Sequence, residues 1–110
     1  MLFGPITDKE RLIWQRQAVK VLADFIGEAV RAELPLVHWQ TGCGRMLVGT
    51  CREGDAESRR AAFLAWTRFL GIAEVTEVTR CGVTHLRGST DDFRGCRIVV
   101  TADLYVEVGS

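Results

Sequence analysis

Proline, histidine and lysine are scarce in this 110-residue chain, with two of each. No apolar run approaches the roughly 18–20 residues that span a bilayer. The opening residues also lack the basic start and apolar stretch of a secretory signal. These absences set the expectation of a cytoplasmic protein with no membrane partner. An excess of charge of one sign is missing as well. Fourteen basic and fourteen acidic residues cancel, and the pI is near 6.7. That argues against a broadly basic nucleic-acid binder.

Short cysteine pairs are absent too. Cys43, Cys51, Cys81 and Cys96 are separated by 7, 29 and 14 residues, whereas structural zinc sites draw on closely spaced pairs. No metal and no cofactor is expected. Disulfides are rare in reducing compartments, so four reduced thiols are expected. The Asp91-Asp92 pair lacks the alternating carboxylates of a calcium loop. Gly42-Cys43-Gly44 falls between two strand patterns, whereas phosphate-cradling glycines lead from a strand into a helix.

What is present suits one small globular domain over residues 1–110. Hydrophobic residues make up 47% and charged residues 25% of the chain, and a domain of this size buries roughly two-thirds of its unfolded surface. Thr7 and Glu10 form a capping box for a helix over residues 7–33. Trp14, Ala18, Val21, Leu22, Phe25, Ile26, Ala29 and Ala32 give it one apolar stripe. Leu34-Pro35 ends it. Two short strands follow at 36–40 and 45–52, joined through Gly42 and Gly44. Asp55 caps a second helix running to Leu70, with Ala62, Phe63, Trp66 and Phe69 on its inner face and Gly71 as its left-handed stop.

The remainder reads as one long hairpin. Residues 73–87 form its first arm, with a bulge at Gly82, residues 88–95 its loop, and residues 96–106 its second arm. Cys96, Ile98, Val100, Ala102, Leu104 and Val106 line the buried face of that last strand. The expected fold class is α+β: a two-layer αββαββ sandwich, with a four-stranded, mostly antiparallel sheet covered on one face by two helices.

No convergent catalytic set emerges. Pivoting the long hairpin between Thr90 and Asp91 makes His85 and Cys96 cross-strand neighbours. A base beside a thiol is what a cysteine nucleophile needs. This defines the alternative reading, a small ligand-binding protein or a thiol/histidine enzyme with a pocket near His85 and Cys96. His38 and Cys81 would be further lining candidates. The favoured reading is a non-enzymatic protein-interaction or regulatory module. Arg60, Leu64 and Arg68 recur at four-residue spacing as an outward stripe on the second helix. Val99 and Tyr105 lie on the outward parity of the last strand, and Ile13 lies towards the polar side of the first helix. A sheet with one open face and free edges invites a symmetric partner. A homodimer through that face or an edge strand is therefore expected, with another protein as a further partner.

Overall fold

The computed structural model describes residues 5–105. Helix α1 (Asp8–Arg31) begins where expected: the Thr7 hydroxyl accepts from the Glu10 N–H at 3.1 Å, and Asp8 and Glu10 place negative charge on the first turn. It stops at Arg31, before the proline acts. Glu33 takes φ 56°, and the Leu34 N–H turns back onto the Ala29 carbonyl at 3.1 Å, closing the end as a Schellman motif. Helix α2 (Ala56–Leu70) repeats the design. Asp55 accepts from the Ser58 N–H at 2.8 Å, Gly71 is left-handed, and the Ile72 N–H reaches the Thr67 carbonyl at 2.8 Å.

Among the described residues five strands follow the α+β pattern: β1 (His38–Thr41), β2 (Met46–Cys51), β3 (Glu74–Arg80), β4 (Val83–Phe93) and β5 (Cys96–Tyr105). They form one mixed sheet in the order β1-β2-β5-β4-β3. Three pairings are antiparallel and β2 against β5 is parallel. The expected four-stranded sheet is thus corrected to five. The segment read as one arm and a loop is two strands, because Cys81 and Gly82 both take positive φ (52° and 78°). That is the backbone of a two-residue hairpin turn, and Arg80 pairs directly with Val83. Gly82 is a turn residue, not a bulge. Residues 88–93, expected in a loop, continue β4. The irregularity lies between Thr90 and Phe93, and Arg94-Gly95 makes the second tight turn. Val106, assigned to the last strand, lies outside the described residues.

Both helices lie on one face of the sheet. The Phe25 ring of α1 meets Trp39 of β1 at 5.0 Å, Trp66 of α2 at 6.2 Å and Phe93 of β4 at 5.8 Å between centroids, in edge-to-face geometry. Trp39 lies flat against β2 at Gly49, where a Cβ would stand 2.8 Å from its ring. Only glycine admits the indole there. Leu47, Cys51, Ile98, Val100, Ala102 and Leu86 complete the buried layer with Phe63. The Trp66 indole N–H donates to the Pro35 carbonyl at 2.8 Å, so the segment leaving α1 is tied to α2. Among the described residues no helix is long and apolar enough to cross a membrane.

Candidate functional site

The stripe on α2 is exposed as expected, and Arg60 is not free: its Nη1 lies 2.8 Å from the Glu77 Oε1 of β3. Leu64 and Arg68 follow at one-turn intervals on the same exposed side. An ion pair therefore spans the groove between α2 and the edge strand.

The proposed neighbours His85 and Cys96 are on opposite faces of the sheet, which corrects the alternative pocket. With the turn at Arg94-Gly95 the hairpin register shifts. His85 pairs with Asp103, and Cys96 pairs with Phe93. His85 points to the open face, its Nδ1 2.6 Å from Asp103 Oδ1. Cys96 points under α1 and is buried. Burial raises its thiol pKa, with Arg45 opposing in part, and burial alone pushes Cys51 up to about 11. Both thiols stay protonated at neutral pH and are poor nucleophiles. Cys43 and Cys81 are exposed in turns, and His38 pairs with Glu53 at 2.7 Å. The described residues contain no group of three His, Cys, Asp or Glu side chains placed to hold a metal.

The open sheet face is more charged than its apolar residues suggested. Val99 has the outward parity yet is only 3% exposed, in register between Val48 and Ser89. Among the described residues two imidazole–carboxylate hydrogen bonds, His38–Glu53 and His85–Asp103, and the Arg97–Asp91 ion pair use residues of this face. Tyr105 stays exposed at one corner, with the Arg59 guanidinium 4.6 Å from its ring centroid.

A further exposed apolar surface lies on α1. Leu12, Val19 and Val30 are 64%, 49% and 71% exposed. Together with exposed Ala23 and half-buried Ile26 they form a second stripe beside the core stripe. The series 12, 16, 19, 23, 26, 30 alternates steps of four and three, the repeat of a helix seam that packs on another helix. Arg16 alone is polar in it. That repeat was available in the sequence. It lies next to the core stripe on the helical wheel, so both merge into one broad apolar arc until the sheet shows how little of it is covered. Gln15, between the stripes, reaches the Thr41 hydroxyl at 3.3 Å, which places this flank along the β1 edge.

Comparison of the chain with protein-family models, with curated proteins and with solved structures finds no match in any of the three.

Proposed function

We propose that this chain is a non-enzymatic, cytoplasmic protein-interaction module that acts as a homodimer, with the flank of α1 as its interface. One observation carries the reading: a helix of 24 residues has a seam of four-three spacing, and Leu12, Val19 and Val30 on it are left to water. Removing their remaining apolar area from water is favourable by roughly 25 cal/mol per Å², and contiguous apolar surface marks contact sites. The spacing selects a helix as occupant, and a second copy of α1 supplies one with the same repeat. Packed antiparallel about a two-fold axis, Leu12 faces Val30 of the second copy and Val19 faces Ala23, large against small. An isologous contact of this kind closes on itself. The open sheet face is the weaker candidate because its hydrogen-bonded polar and charged side chains favour solvent. Another protein presenting an apolar helix would use the same flank.

Light scattering coupled to size exclusion tests the reading. At tens of micromolar the chain should elute with dimer mass, and Val19→Glu should bring it to monomer mass with an unchanged circular dichroism spectrum. Tyr105→Arg should leave the dimer intact. A monomeric wild type sinks the proposal, and a dimer broken by Tyr105→Arg but not by Val19→Glu moves the interface to the sheet.

A further inference from the structure

We infer a separate binding site for a small oxyanion, phosphate or carboxylate, at the rim where β2 ends beside β5. The two strands run parallel up to Cys51 and Ala102, and there the chain leaves β2 to enter α2. A cavity of about 210 Å³ opens at this rim, lined by Thr50, Cys51, Arg52, Arg59, Asp103 and Tyr105. It is smaller than the pockets of drug-sized ligands, and an ion or a small headgroup suits it.

Arg59 is the centre of the argument. Its side chain is half-buried, stacked on Tyr105, and its Nη1 donates to the Asp103 carbonyl at 3.4 Å. Its Nε is buried and has no hydrogen-bond partner among the described residues. The acids bordering the rim are already engaged. Glu53 pairs with His38 at 2.7 Å, Asp103 pairs with His85 at 2.6 Å, and Asp55 accepts from the Ser58 N–H at 2.8 Å. Among the described residues neither Arg52 nor Arg59 forms an ion pair. A buried guanidinium N–H left without an acceptor is unfavourable, and the planar fork of donors matches the two oxygens of a carboxylate or phosphate. Arg52 adds a second positive charge to the cavity wall, and Thr50 and Tyr105 contribute hydroxyls. The rim lies apart from the α1 flank, so the two proposals stand or fall separately.

The test is a titration of the isotope-labelled full chain with sodium phosphate and with sodium acetate, followed by nuclear magnetic resonance. Sodium chloride at matched ionic strength is the reference. Saturable shifts of the Arg59 Nε–H and of the Thr50 and Arg52 amides are expected with phosphate or acetate, and not with chloride. The anion that saturates at lower concentration identifies the headgroup class. Arg59→Gln should weaken binding about tenfold or more, Arg52→Gln by a smaller factor, and Arg31→Gln not at all. Thermal melts separate a lost site from a lost fold, and if Arg59→Gln does not fold, Arg59→Lys and Arg52→Gln decide. Equal responses to all three salts, or undiminished binding in both of those variants, overturn the inference.

Discussion

Helix α2 lies over the middle of the sheet and hides Ala62, Phe63, Trp66, Thr67 and Leu70 in 15 residues, whereas α1 has 24 residues and fully buries only Ala18, Phe25 and Ala29. Both helices are capped by a side-chain oxygen at the start and a left-handed residue after the end, so local signals do not separate them. Their position over the sheet does. The apolar side chains of α2 are used up by the fold, while α1 has more of them than β1 and β2 can cover. A helix longer and more apolar than its own sheet requires has surface left for another molecule.

The sharpest way to break this contrast is to truncate one apolar residue on each helix. Phe63 is fully buried, and Phe63→Ala should lose roughly 3–5 kcal/mol of unfolding free energy. Leu12→Ala should lose less than about 0.5 kcal/mol, measured by urea unfolding at concentrations low enough to keep the chain monomeric. Similar losses would mean that α1 is as deeply committed to the core as α2.

The caps give a smaller, pH-resolved difference. The Ser58 backbone N–H, helped by the Ser58 side chain and the nearby Arg59 charge, holds the Asp55 carboxyl below the usual carboxylate range. A group whose pKa is lowered by folding stabilises above its unfolded value, about 3.9, and loses that contribution as pH falls through the lower folded value. The melting-temperature gap between wild type and Asp55→Ala should therefore be steady near neutrality and close below about pH 4. The corresponding gap for Thr7→Ala on α1, where the cap is a hydroxyl, should not follow that titration. A pH-independent Asp55→Ala gap would remove the carboxylate from the account of α2.

The smallest effect belongs to the helix surface. Arg60 and Glu77 pair at 2.8 Å with both side chains about half exposed. Arg60→Gln should cost no more than about 1 kcal/mol, and less as salt is added. A larger loss in chemical denaturation would make the exposed face of α2 part of what holds β3 in place.

Much of this arrangement was legible beforehand, and the failures have physical causes. Thr7, Asp55 and Gly71 mark boundaries because each supplies a bond or a conformation that ordinary helical residues do not. The alternation in β5 is plain because one of its faces is buried along its length. Strand β3 reads as one arm with the start of β4 because all seven of its residues are exposed, leaving no inside-outside rhythm to mark the turn between them. Gly88 looked like a loop residue. It is buried in β4, where an added Cβ would stand 3.1 Å from Ile72 and Thr67, a close approach that composition cannot signal. The partnership of Arg59 with Tyr105 and Asp103 depends on parallel pairing of β2 with β5, which no local pattern encodes.

That parallel pairing also orders events in time. β5 is the central strand and joins the β1–β2 hairpin to the β3–β4 hairpin, yet it is the fifth strand to leave the ribosome. Until it emerges, two hairpins and two capped helices have no common sheet to pack on, and isolated two-stranded hairpins are marginal in water. Because β2 and β5 are far apart in sequence, the loop-closure cost must be met before this central contact forms. Synthesis of this protein thus leaves an interval in which Phe25, Phe63 and Trp66 are made and unburied, when a chaperone or a second nascent chain can reach them.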